Sequence, residues 1–340
     1  MLKKINIKLN NNLLIILLII ILFFTVIFSV LLGKYDISVI DIFLIIRDFI
    51  FKANSGIDEM SKNVLLGLRL PRVVAALVVG VSLSISGAAF QGISNNPLVS
   101  PDFLGVSQGA CIGAAIGIIF SFDAFFINVF AFLFGILSVL ITVFISKFIN
   151  FKSNITMVLA GIIVGTLMSS VLGFIKFIAD PSTELASITY WTMGSFAYVD
   201  TKLIKVAVVV LLICFIVLYK ISWKIDILAT GDEEAKVLGL NTMLIRNIVI
   251  ICSTLITATS ICIAGTIGWV GLIIPHFSRI LVGSSNKKLL PISALSGGIF
   301  MIIVDTLTRI IGKVEMPVSI LTGFIGAPVF LLLICVKRKK

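Results

Sequence analysis

The chain has 340 residues, of which 59% are hydrophobic and only 13% charged, with a mean hydropathy of +1.21 and a net charge of +11. Soluble domains run at roughly 45–50% apolar and about 25% charged, so a soluble enzyme, a nucleic-acid binder and a disordered tail are all excluded. Apolar runs recur from one end to the other, and the surplus of Lys and Arg is the bias that membrane proteins keep in their cytoplasmic loops. The composition is that of an all-α integral membrane protein forming one polytopic domain over residues 1–340.

In chain order, Lys3, Lys4 and Lys8 followed by an apolar run imitate a signal peptide. The run is longer than a signal core and has no small-residue cleavage site behind it, so it reads as a retained first span. Taking about 20 apolar residues per crossing, ten spans are expected, near 13–32, 69–92, 103–121, 125–146, 154–178, 203–220, 243–264, 271–284, 289–309 and 317–336. The eighth is short and the third rich in glycine, which leaves nine or eleven as alternatives. With the N-terminus cytoplasmic, the whole net charge falls on that side, including the closing Lys337-Arg338-Lys339-Lys340. Both termini are therefore expected inside. The Tyr and Trp residues, among them Tyr35, Trp191 and Trp269, fall near span ends as an interfacial belt does. The outer loop over 33–68 carries Asp36, Asp41, Asp48, Asp58 and Glu59 without a legible signature.

Gly105, Gly109, Gly113 and Gly117 recur every fourth residue in the third span, and Gly161, Gly165, Ser169 and Gly173 do so in the fifth. Such faces let helix backbones approach closely; lining a pathway is the functional alternative. The fourth span, with Phe125, Phe126, Phe130, Phe132, Phe134 and Phe144, suits lipid contact. Charge is nearly absent from mid-span positions, which disfavours an ion-coupled secondary transporter. Asp305 and Arg309, four apart, can pair on one helix face. The single His276 stands beside Pro275, and the five cysteines are scattered through apolar stretches, so neither a metal site nor acid–base chemistry is expected. Gly87 precedes Pro97 as Gly265 precedes Pro275, and Arg69 and Arg246 stand at matching distances upstream. The echo suggests an inverted pseudo-repeat of spans 2–5 and 7–10.

Between spans six and seven, Thr230 with Glu233 forms a capping-box pattern, Asp232, Glu233 and Glu234 suit the positive end of a helix, and Gly239 is a natural stop. A short helix is expected at about 230–240, with Ala235 and Leu238 on one apolar side, offered as a knob to a partner rather than laid on lipid. No Gly-x-x-x-x-Gly-Lys phosphate loop occurs, so an ATP-driven process would need its ATPase on another chain.

Four ordered blocks carry a resemblance. They are Arg69-Leu70-Pro71-Arg72 with Gly87-Ala88-Ala89-Phe90-Gln91-Gly92 and Asn96-Pro97-Leu98-Val99-Ser100-Pro101; Gly231-Asp232-Glu233-Glu234-Ala235 with Leu238-Gly239; Gly268-Trp269-Val270-Gly271 with Pro275-His276 and Arg279; and Asp305-Thr306-Leu307-Thr308-Arg309. Together they resemble the permease subunit of ATP-binding-cassette importers for iron–siderophore, haem and vitamin B12. The resemblance implies a non-enzymatic permease in the cytoplasmic membrane of a prokaryote, paired with itself or a close paralogue. Two ATPase subunits, which use ATP and Mg, would bind the 230–240 helix, and an extracytoplasmic binding protein would deliver the cargo. It further implies docking of that protein on Arg69, Arg72 and Arg309, and a gating role for Pro275 and His276 rather than metal ligation. No cofactor is expected on this chain. An iron(III)–siderophore chelate is the leading cargo, with haem or cobalamin as alternatives; an ion-coupled secondary transporter and a membrane scaffold are the readings from other classes.

Overall fold

The computed structural model describes residues 11–53, 55–94, 96–148, 154–312 and 314–338, and among them every regular element is a helix. Lys3, Lys4 and Lys8, on which the orientation partly rests, lie outside the described residues, as do Lys339 and Lys340. The helices are α1 (Asn11–Leu31), α2 (Val39–Phe51) and α3 (Glu59–Lys62), which runs through a π-helical stretch (Asn63–Arg69) into α4 (Leu70–Ser94). After a 3-10 turn (Pro101–Leu104) come α5 (Val106–Ile119), α6 (Ala124–Phe148), α7 (Asn154–Ile178) and α8 (Glu184–Met193). The second half holds α9 (Thr201–Lys220), α10 (Ser222–Leu228), α11 (Asp232–Val237), α12 (Thr242–Ala264), α13 (Val270–Val282), α14 (Asn286–Ile310) and α15 (Val318–Arg338). An all-helical answer is what hydrocarbon demands, since each backbone N–H and C=O must find its partner within its own segment.

Among the described residues, seven helices are long and apolar enough to cross a membrane, the apolar helix α15 stands at the tenth expected span, and two short ones, α5 and α13, stand at the third and eighth. Their shortness has local causes. Gly105, at φ 83°, ends the 3-10 turn and caps α5, so the stretch expected to begin at 103 becomes helical only at Val106. In the same way Trp269, at φ 74°, stands immediately before α13. A positive φ outside glycine is strained, and Trp269 is held there by contact with α15, where Gly326 lies against it and Phe330 packs at 6.4 Å between ring centroids.

Helix α4 forms the buried centre, flanked by α14, α12 and α13. Small residues set these contacts. A Cβ on Gly80 would collide with the carbonyl of Gly297, one on Gly297 with the carbonyl of Gly80, and one on Gly87 with the carbonyl of Gly271. Backbones in such contact gain dispersion over their whole length, which replaces the hydrophobic driving force that lipid removes.

The sequence did not make α2, α8 or α10 legible. The 33–68 loop contains α2, whose N-cap Ser38 accepts from the Asp41 N–H at 3.1 Å, and which packs Ile42 and Ile45 inward. Its end is fastened by Asp48, which accepts from the Ser55 N–H and hydroxyl, both at 2.7 Å. These hydrogen bonds from Ser55, helped by Arg47, hold the Asp48 carboxyl below its ordinary value.

Candidate functional site

Helices α4 and α14 run antiparallel, so the chain has two functional ends. Gly92 near the close of α4 meets Asn286 at the start of α14, whereas Arg72 at the start of α4 meets Asp305 near the close of α14. The segment around α11 sits at the first end and the arginines at the second, separated by roughly 35 Å at 1.5 Å of rise per residue.

The expected 230–240 helix exists as α11, shorter than expected and capped differently. The Thr230 hydroxyl donates to the Ile227 carbonyl at 2.8 Å and so closes α10. The cap of α11 is Gly231, at φ 137° and without a side-chain cap bond, so the capping box does not form. Glycine suits this position because L side chains rarely adopt φ 137°, and the Glu234 carboxylate folds back over it. The predicted stop is as expected. Gly239 takes φ 78°, its N–H reaches Lys236 and the Leu240 N–H reaches Ala235, a Schellman closure.

Ala235 and Leu238 do not share an apolar side. Ala235 is fully buried against the helical bundle, while Val237 and Leu238 are 87% and 65% exposed. The reason is the tether: Asp232 accepts from Arg246 of α12 at 2.5 Å, which turns the Ala235 face inward. Glu233 points outward and pairs with Lys236 at 2.9 Å. That hydrogen bond, with the carboxylate's charge, raises the Lys236 ammonium above its ordinary value, so the lysine stays charged throughout the neutral range. The knob therefore presents two bare aliphatic side chains beside a compensated ion pair.

At the other end Arg69, Arg72 and Arg309 come together, all buried. Arg69 donates to the carbonyls of Val30 (2.7 Å), Leu31 (3.2 Å) and Tyr35, lying over Gly33. Arg309 donates to the Ser29 hydroxyl (2.8 Å) and to the carbonyls of Ser29 and Leu32. These are the orphan acceptors that every helix leaves at its C-terminus, so two of the three guanidinium groups cap α1 and sit at its negative end. Arg72 donates through Nε to Asp305 at 2.8 Å and through Nη1 to both oxygens of Glu315 at 3.0 and 2.8 Å. Asp305 also lies 3.3 Å from Arg309, the pairing that the four-residue spacing foretold. The arginines are engaged inside the protein and do not snorkel. Glu315 went unnoticed in the sequence because it lies in a loop with no periodicity.

The glycine faces pack. Gly109 lies on Ser138 and the Phe134 backbone, Gly113 on the Phe130 backbone of α6, Gly161 on Phe103, and Gly105 faces Gly165 and Ser138. Gly173 meets nothing within 4 Å. The α6 phenylalanines divide accordingly, with Phe125, Phe126 and Phe144 exposed and Phe130 and Phe134 turned partly inward. His276 is buried with its ring edge-on to Phe330, 6.2 Å between centroids, immediately after the interior Pro275. Among the described residues no group of three or more His, Cys, Asp or Glu could hold a metal ion. Gln91 and Arg279, 188 residues apart, are joined: Gln91 donates to the carbonyls of Gly271 and Leu272 and accepts from Arg279.

Comparison with known proteins gives consistent matches. The FecCD transport family profile matches residues 18–336. The molybdate import system permease protein MolB of Haemophilus influenzae is 37% identical over 307 residues, 90% of each chain. A protein of Helicobacter pylori described as an iron chelatin transport system permease is 34% identical over 284 residues, 84% of this chain and 86% of its own. Among solved structures, an inward-facing conformation of a metal-chelate type ABC transporter superposes with a TM-score of 0.84 at 36% identity, over 94% of this chain and 98% of that one.

Proposed function

The chain belongs to the FecCD transport family, and from that premise we propose that it is the membrane-spanning permease of an ATP-driven importer whose cargo is an iron(III)–siderophore chelate. As a permease of this family it is a multi-pass membrane protein that moves cargo and performs no covalent chemistry. The observation that carries the ATP-driven reading is α11, a short helix tied to α12 by Asp232 that leaves Val237 and Leu238 bare. Exposed aliphatics at a fixed knob suit an apolar cleft on another protein, here each of two ATPase subunits. Copurification in mild detergent tests this. The wild-type chain is expected to bring an ATPase with it, and Val237→Asp with Leu238→Asp to lose it; an unchanged yield of ATPase in the double variant rules the knob out.

In this reading the chain crosses ten times with both termini cytoplasmic, and spans 2–5 and 7–10 repeat in inverted order. Supporting the repeat, α5 and α13 are both short and both begin behind a positive-φ residue, at corresponding places in the two halves. Two copies, or one copy and a paralogue, enclose the pathway, with bare faces such as that of Gly173 available to it. The extracytoplasmic binding protein docks on Arg69, Arg72 and Arg309 through its own carboxylates. Since Arg72 already holds Glu315, a docking carboxylate must take its place. Glu315→Gln is therefore expected to tighten binding of the cognate binding protein several-fold, as neutral–charged hydrogen bonds yield to charge-paired ones. A dissociation constant left unchanged or raised argues against docking there.

Molybdate is the second reading for the cargo, favoured by the identity to MolB. Cells dependent on this permease are expected to accumulate iron-55 presented as a siderophore and not molybdenum-99 presented as molybdate; the reverse pattern overturns the iron assignment.

A further inference from the structure

Helix α10, which leads into the knob, is fastened to the body by one residue that the family blocks do not include. Asp226 Oδ1 accepts from the backbone N–H of Asn286 at 2.7 Å and from its side-chain amide at 2.6 Å, while Oδ2 accepts from the Ser285 hydroxyl at 3.1 Å. Asn286 is the first residue of α14, it is buried, and Ser285 makes no cap bond of its own. A carboxylate from another helix thus serves as the N-cap of α14, satisfying an orphan donor at the positive end of the dipole. The neighbouring Ile225 is fully buried over Gly92, where a Cβ would come within 2.5 Å of it. One turn of α10 is therefore clasped to the ends of both α4 and α14. Those two helices carry Arg72, Asp305 and Arg309 at their far ends, with Arg69 immediately before α4.

We propose that Asp226 is a positioning residue that conveys movement of the α11 knob to α14, and through the paired α4 and α14 to the arginine cluster at the opposite membrane face. The inference rests on the importer reading above. Its logic is that of a short rigid link. Only Ala229, Thr230 and Gly231 separate α10 from α11, and both the Ala229 and Gly231 N–H groups are bonded back into α10. When α11 is displaced, α10 follows. Because the carboxylate grips the first residue of a 25-residue helix, the displacement reaches the whole helix rather than a loop.

The test uses the full permease–ATPase complex reconstituted in proteoliposomes, measuring ATP hydrolysis and cargo uptake on the same preparation. Asp226→Asn is expected to lower uptake about tenfold, as loss of charge-assisted hydrogen bonds implies, while hydrolysis and bound ATPase remain near wild type. The uptake-to-hydrolysis ratio is the diagnostic, since general damage lowers both. Asp226→Asn with Asn286→Asp restores an amide–carboxylate pair in the reverse sense and is expected to recover most of the uptake; it also serves should the single variant fail to assemble. Wild-type uptake in Asp226→Asn, a parallel fall of uptake and hydrolysis, or a double variant no better than the single one overturns the clasp as a transmission element. Absence of an ATPase from the wild-type complex falls instead on the importer reading.

Discussion

Asp305→Ala is expected to destabilise the chain by roughly 3–5 kcal/mol, the scale measured when one partner of a buried ion pair is removed. Asp305 lies between Arg72 and Arg309, all three buried, and its loss leaves only the partly exposed Glu315 to offset two desolvated guanidinium groups. Thermal unfolding in detergent reads the cost. Arg72→Met with Asp305→Leu is expected to recover part of it, because one of the two stranded guanidinium groups is gone while Arg309 keeps its carbonyl partners at the end of α1. A single variant as stable as wild type would show that water or lipid headgroups reach the cluster freely. The same argument bears on docking experiments. Reversing Arg72 to Glu would gather three carboxylates and unfold the region, so the test at Glu315 leaves the buried pair intact.

Gly297→Leu is expected to be the most damaging change in the membrane core, costing at least the roughly 1–3 kcal/mol typical of overpacking. Its Cβ alone would strike the Gly80 carbonyl and the Ser84 side chain, neither of which can rotate away without moving α4. Gly173→Ala is the control, since nothing lies within 4 Å and alanine improves helix propensity by roughly 0.8–1.0 kcal/mol. The two changes are expected to shift the melting temperature of the isolated chain in opposite directions. Equal effects would mean that the α4 and α14 backbones do not touch at Gly80 and Gly297.

What was legible follows the physics of each feature. Long apolar runs are dictated by hydrocarbon thickness, so α1, α6, α7, α9, α12 and α14 fall where the periodicity puts them. Gly239 was legible because a left-handed stop leaves a local signature. Thr230 was misread because a capping box and a closing bond to Ile227 use the same side chain, and the choice depends on where α10 ends. Helix α2 was hidden because its apolar residues were too few for a crossing and its polar ones were read as loop. The partners of Arg69 and Arg309 are backbone carbonyls of α1, and a carbonyl has no letter in the sequence. Asp226 and Asn286, 60 residues apart, meet only because α10 and α14 are brought together by packing.

The contact between Gly80 and Gly297 has a kinematic consequence. Helices held apart by long side chains can shear, because rotamers rearrange as the axes slide. Here carbonyl oxygens rest against the opposite backbone, with only Ser84 and Met301 wedged beside the two glycines. Helices α4 and α14 translate and rotate as one rigid strut. The sliding surfaces of the cycle must then lie where side chains mediate the contact, as they do where Trp269 and His276 rest on Phe330 of α15.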